Sequence, residues 1–222
     1  MKKAGHRPAH NCCINPIHGE HLLENDLEIE VKFYISEPLE FRNRILSKNS
    51  ISQGRAFEKN ILLDTPDLQL RKKGVLLRLR QTDTCTLTVK STPRIRQDGE
   101  FKVLRETETS IGDFDNAEKA FTTLGFTHKT IYEKFRETFL LQQVEICLDE
   151  LPFGFFVELE GEKTAIREAA DILGLQWDQR ITLSYRALFE SLAQHHGYNF
   201  SDITFAAFAN ADADINAILN GP

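Results

Sequence analysis

The chain has 222 residues, a net charge of −6, 41% hydrophobic and 27% charged residues, which suits one domain with appended ends and a normal core. The acidic balance argues against nucleic-acid binding as the main task, and no apolar run approaches the ~20 residues of a membrane span. Met1 to Pro8 contains no apolar signal-peptide stretch, so a cytoplasmic location is expected.

Residues 1–26 show no periodicity and read as a flexible leader. They carry His6, His10, His18 and His21 with Cys12 and Cys13, a spacing that fits no metal-ligand template. The four cysteines form no disulfide framework and are expected as thiols.

Leu27 to Ile35 alternates strictly. Leu27, Ile29, Val31 and Phe33 share one face, and Glu28, Glu30 and Lys32 the other, the period of a strand. Ser36-Glu37-Pro38 then opens a helix over about 37–48, with Ser36 a candidate cap and Pro38 in the first turn. Strands are predicted at about 54–64, 75–83, 84–91 and 100–109, separated by Gly54, Asp64-Thr65-Pro66-Asp67, Gly74 and Asp98-Gly99. A helix at about 113–124 stops at Gly125. Strands at 129–141, 144–149 and 154–161 follow, then a helix from 162 that ends at Gly174, a plausible C′ glycine. Residues 182–195 read as a last helix, and 199–222 as a loosely held tail.

Eight strands with few helices predict a β-dominated α+β fold, an eight-stranded antiparallel closed β-barrel with flanking helices. The domain is expected over 27–196, with 197–222 as the tail.

In nearly every strand the charges recur at a spacing of two. They are Glu28, Glu30 and Lys32; Arg78 and Arg80; Lys90; Glu106 and Glu108; Lys134 and Arg136; Asp149; and Glu158 and Glu160. An ordinary wet sheet face explains any one strand. The helices, however, need an apolar sheet face to cover. In a barrel they would lie outside and leave the charges within.

A polyphosphate calls for this mixture. Arg meets its oxygens bidentately and Lys as a point charge. Carboxylates belong beside it only if they hold Mg²⁺ or Mn²⁺, hard cations that bridge to phosphate oxygens. Glu-x-Glu sets two carboxylates about 7 Å apart at the backbone, which suits shared ligation.

At these residues the chain resembles the CYTH superfamily, or triphosphate tunnel metalloenzymes, which includes class IV adenylate cyclases, thiamine triphosphatases and inorganic triphosphatases. The resemblance rests on Glu28-x-Glu30-x-Lys32, Leu63-Asp64-Thr65-Pro66-Asp67, Leu77-Arg78-Leu79-Arg80, Thr88-Val89-Lys90, Arg105-Glu106-Thr107-Glu108, Lys134-Phe135-Arg136, Asp149 and Glu158-Leu159-Glu160, in family order over about 27–186. Leu124-Gly125-Phe126, Glu133 to Arg136 and Ser184 to Leu188 resemble the class IV cyclase-like branch.

The resemblance implies a triphosphate-binding lumen. It places metal-ligand roles on Glu28, Glu30, Glu158 and Glu160, with Glu106 and Glu108 orienting them or holding a second ion. It implies that Asp149 either joins the metal site or holds the basic side chains. Phosphate contacts fall on Lys32, Arg78, Arg80, Lys90, Lys134 and Arg136, and catalytic roles on Lys32, Arg136 and Glu108. Lys102 and Arg105 are expected outside or at the rim. The expected substrate is a triphosphate-bearing small molecule (tripolyphosphate, thiamine triphosphate or ATP), hydrolysed or, in the alternative, cyclised to cyclic AMP. A non-catalytic polyphosphate or nucleotide sensor is the third reading. The oligomeric state is left open.

Overall fold

The computed structural model of the chain describes residues 27–94 and 99–219. The expectations for the leader, including its His and Cys residues, lie outside the described residues.

Eight strands form in chain order: β1 (Leu27–Ile35), β2 (Ile51–Asp64), β3 (Val75–Gln81), β4 (Cys85–Ser91), β5 (Lys102–Ile111), β6 (His128–Leu141), β7 (Val144–Leu151) and β8 (Gly154–Glu160). All pair antiparallel, in the order β1-β5-β4-β3-β2-β6-β7-β8, and β1 pairs with both β5 and β8 so that the ring closes. The helices are α1 (Pro38–Leu46), α2 (Gln69–Lys72), α3 (Phe114–Thr123), α4 (Lys163–Ile172), α5 (Tyr185–His196) and α6 (Asn216–Leu219). No helix among the described residues is long and apolar enough to cross a membrane.

The apolar side chains of the strands turn outward, and most are covered, though Phe57 and Val89 stay exposed. Val31, Phe33 and Ile35 of β1 pack with Phe41 and Ile45 of α1 and with Ile166, Ala169 and Ala170 of α4. Ile61, Leu63, Leu77 and Leu79 pack under Phe114 of α3. A third cluster joins Leu151, Phe153 and Phe156 to Leu188, Phe189 and Leu192 of α5. This inversion puts the alternate, charged residues inside. Glu28, Glu30, Lys32, Arg78, Lys134 and Asp149 are all buried.

Local chemistry sets the helix ends. Asp113 caps α3 by accepting from the Asn116 N–H at 2.9 Å. Gly174 has φ +68 just past α4, and the Leu175 N–H reaches the Ala170 carbonyl at 2.9 Å, the hydrogen bond of a Schellman stop. Ser36 does not cap α1. The cap position is Glu37, which makes no side-chain cap bond, and Pro38 holds the first turn.

Two expectations change. The short helix α2 arises because buried Asp64 accepts from the N–H groups of Thr65 (2.7 Å), Leu70 (2.9 Å) and Arg71 (3.0 Å). The Asp64-Thr65-Pro66-Asp67 run is therefore a fold device. Second, residues 199–219 are not loosely held. Ile203, Phe208 and Ile215 are buried in the α5 cluster, because apolar residues spaced irregularly along an Ala- and Asp-rich segment still find one pocket.

Candidate active site

One cavity of about 480 Å³ runs inside the barrel. Glu28, Glu30, Lys32, Arg78, Arg80, Lys90, Glu106, Glu108, Lys134, Arg136, Glu158 and Glu160, predicted from six strands, all line it. Asp149 sits just beneath, 0% exposed. Lys102, expected at the rim or outside, faces the cavity and donates to Glu30 at 2.7 Å. Arg105 shares the outward parity of Val103, which packs in the α1–α4 cluster. Sequence reasoning missed Glu58, Tyr132 and Glu145. Glu58 and Glu145 stood at the correct period-two positions, which was the available signal.

Cross-strand register explains the pairing. Lys90 lies opposite Glu106, Glu30 opposite both Lys102 and Glu160, and Glu145 opposite Glu160. Lys90 Nζ bridges Glu28 at 2.5 Å and Glu106 at 2.8 Å. Lys32 Nζ lies 3.2 Å from both Glu30 and Glu158.

Asp149 organises the cation-rich wall. Its Oδ1 accepts from Arg136 Nε at 2.7 Å. Its Oδ2 accepts from Arg136 Nη2 (2.6 Å), Lys134 Nζ (3.0 Å) and the Tyr185 hydroxyl (2.9 Å). Arg136 also donates to Glu158. Tyr185 reaches this position because Ser184 caps α5, accepting from the Ala187 N–H at 3.2 Å, so the helix begins at the cavity wall. Lys32 Nζ lies 4.9 Å from the centre of the Tyr185 ring, a cation–π contact.

Arg78 and Arg80 pair less closely with carboxylates. Arg78 stands 3.8 Å from Glu106 and 3.6 Å from Glu108, and Arg80 stands 3.8 Å from Glu58. Nε of each has no hydrogen-bond partner. Arg78 Nη1 donates to the Tyr132 hydroxyl at 3.2 Å and its Nη2 to the Thr88 hydroxyl at 3.1 Å. These guanidinium groups keep donors to offer an anion.

The carboxylates divide by environment. Burial pushes Glu28 up to about 8, against the pull of Lys90. Burial and the adjacent Glu145 push Glu160 up to about 7. Burial acts the same way on Glu30, yet Lys32 and Lys102 hold it down to about 2. Glu58 is likewise held at about 2, burial being outweighed by Lys134, Arg136 and Arg80.

Among the described residues no three His, Cys, Asp or Glu side chains already converge as a ligand cage. The donor chemistry nevertheless fits a hard divalent cation. Glu28, Glu30, Glu145 and Glu160 supply only oxygens, and burial raises the pKa of Glu28 and Glu160, a cost that a nearby cation would offset.

Beside the cavity lies a recess of about 210 Å³, which shares Leu62, Leu76, Lys90, Leu104, Ser184 and Arg186 with it. Its outer wall is formed by Arg71 of α2 and Glu190 of α5, joined by bonds of 2.9 and 2.6 Å.

A closed antiparallel barrel here turns mixed charges inward and its apolar face toward helices, an arrangement chemically suited to a densely charged ligand. The CYTH domain model matches residues 26–184, and the chain belongs to the CYTH domain family. A Methanocaldococcus jannaschii protein, provisionally named an adenylate cyclase, is 25% identical over 148 residues, 66% of this chain and 83% of the relative. A Vibrio parahaemolyticus structure with the same provisional name aligns with a TM-score of 0.63 at 22% identity, covering 74% of this chain and 98% of that one. A Hippeastrum structure, described as a provisional adenylyl cyclase with a dominant triphosphatase activity, aligns at a TM-score of 0.54 and 18% identity, covering 74% and 95%. These structural likenesses establish the fold.

Proposed function

We propose that this protein is a divalent-metal-dependent phosphoryl-transfer enzyme that hydrolyses a triphosphate, either tripolyphosphate or an organic triphosphate. The observation that carries the reading is the division of one lumen between loosely paired arginines and crowded carboxylates.

Arg78, Arg80, Lys134, Arg136 and Lys32 would take the phosphate oxygens. Arg136 and Lys134 are fixed in place by Asp149, so their orientation is set before substrate arrives. With its oxygens occupied by four hydrogen bonds, Asp149 acts as the holder of these cations and not as a metal ligand. Glu28, Glu30 and Glu160 would hold Mg²⁺ or Mn²⁺, joined by Glu145, with Glu106, Glu108 and Glu158 positioned around them. The cation, when bound, neutralises phosphate charge and lowers the pKa of water. Lys90 and Lys32 would then leave carboxylate oxygens and turn toward phosphate. Glu108, half-exposed at the Arg78 side, would orient Arg78 through Thr88, which donates to it at 2.7 Å.

A second reading, an adenylate cyclase in which the ribose 3′-hydroxyl attacks and pyrophosphate leaves, is supported by the recess beside the lumen, which offers room for an organic group.

The test is an assay of purified protein with Mg²⁺ or Mn²⁺ against tripolyphosphate, thiamine triphosphate and ATP, resolving phosphate, pyrophosphate and cyclic AMP. Phosphate release lost in the Glu28→Ala, Glu30→Ala double variant supports hydrolysis. Cyclic AMP with pyrophosphate supports the second reading. Triphosphate binding without turnover, unaffected by the double variant, would sink the metal-dependent mechanism.

A further inference from the structure

Strand β6 is longer than its pairing with β7. Register with β7 begins at Phe135, whereas β2 pairs β6 from His128 onward. The first half of β6 therefore presents one bare edge, which must find partners. Residues 202–205 supply them. The Ile203 N–H donates to the Ile131 carbonyl at 2.8 Å, and the Glu133 N–H donates to the Ile203 carbonyl at 2.8 Å. The Asp202 carboxylate accepts from the Ile131 N–H at 2.9 Å, and Glu133 accepts from the Phe205 N–H at 3.1 Å. This stretch lies beyond the family match at 26–184.

The docking places an apolar side chain in a charged wall. Ile203, 1% exposed, lines the cavity together with Tyr132, Arg78, Lys134 and Tyr185. A hydrocarbon there offers nothing to a phosphate oxygen, and it forms the wall beside Tyr132, which accepts from Arg78. A longer phosphate chain would have to place its additional charged group against that hydrocarbon, which is costly.

We propose that Ile203 is a specificity-determining residue that limits the length of the phosphate chain the cavity accepts. The proposal rests on the triphosphate reading. Ile203 acts as a stop beside Tyr132, whose hydroxyl accepts from Arg78, and the backbone bonds of residues 202–205 keep it there.

The experiment compares tripolyphosphate with tetrapolyphosphate on the full chain with Mg²⁺, measuring kcat and KM by phosphate release and binding by calorimetry. The natural protein is expected to favour tripolyphosphate about tenfold or more. Ile203→Ala is expected to move that ratio toward tetrapolyphosphate about tenfold, chiefly through KM for the longer chain. Ile203→Phe, which adds bulk at the same place, is expected to raise KM for tripolyphosphate. Thermal melts identify the folded variants, and Ile203→Val serves as a mild third variant if Ile203→Ala does not fold. An unchanged ratio across the folded variants, or equal use of both chains by the natural protein, overturns the proposal. Failure of the natural protein to bind tripolyphosphate at all overturns the triphosphate reading itself.

Discussion

Arg136 grips Asp149 through two parallel hydrogen bonds, Nε to Oδ1 at 2.7 Å and Nη2 to Oδ2 at 2.6 Å, in a position where Asp149 has no solvent exposure. The fork geometry fixes the guanidinium plane, and the carboxylate offsets two cations at once, since the buried Lys134 shares it.

Asp149→Asn should therefore destabilise the fold strongly. Removing one partner of a buried ionic network costs about 3–5 kcal/mol. Glu158 and Glu58 still face Arg136 and Lys134, so the loss should fall toward the lower end. Denaturant unfolding measures it. Added tripolyphosphate should restore more of the midpoint in the variant than in the natural protein, because the ligand's charge replaces the missing carboxylate. Equal shifts in both would argue against phosphate contact by these cations.

Tyr185→Phe isolates one bond of that network. The ring, with its contacts to Lys32 and Phe156, remains, while Asp149 Oδ2 loses one of three donors. A loss of about 1–2 kcal/mol is expected, together with a rise in KM for the triphosphate. A kcat change with KM untouched would instead give the hydroxyl a part in the chemistry.

Stability of the metal-free protein should depend on pH in two opposite limbs. Glu30 and Glu58 titrate near 2 when folded, below their ordinary 4.5. Their contribution is present above about 4.5 and is lost as pH falls toward 2. Glu28 and Glu160 titrate near 8 and 7 when folded, above 4.5. The folded state then binds more protons than the unfolded one, so stability declines as pH rises from about 4.5 to about 8 and levels off beyond. Melting curves with a chelator should show both limbs. Mg²⁺ or Mn²⁺ should flatten the upper limb, because the cation takes the place of those protons. An upper limb that Mg²⁺ and Mn²⁺ leave unchanged would remove Glu28 and Glu160 from the metal site.

Glu160→Gln tests the same site from the other direction. Losing one oxygen ligand should weaken Mn²⁺ binding by about tenfold or more. The variant should also lose part of the upper-limb decline, since Glu160 no longer ionises. Calorimetric Mn²⁺ titration at pH 8 reads the first effect, and the melting series reads the second. Unaltered Mn²⁺ affinity would move the ligand role to the Glu28–Glu30 pair.

The alternation in β1, Leu27-Glu28-Ile29-Glu30-Val31-Lys32-Phe33, was sufficient to identify a strand with one charged face, because side-chain direction in a strand follows sequence position alone. The same local rule identified Arg78 with Arg80, Lys134 with Arg136, and Glu158 with Glu160. The glycine stop at Gly174 and the overall count of strands were legible for similar reasons. The alternation alone left open which face is inward; the need of the helices for an apolar surface pointed to the charged face, and α1, α4 and α3 do cover the apolar side.

The partners inside the lumen also belong to the tertiary structure. Lys90 meets Glu28 across 62 positions of chain, and Arg136 meets Asp149 through the β6–β7 register. Nothing local to either residue specifies such pairs, since ring closure and strand register set them together. For the same reason the contacts of Asp149, expected either at a metal or on the basic side chains, became visible only with its neighbours in place, where it accepts from Arg136, Lys134 and Tyr185. Ile203, in a segment without period or charge pattern, gained its position from a bare stretch of β6. The sequence alone determined which side chains share a face. Packing and hydrogen bonding between strands far apart in the chain decided what each of them touches.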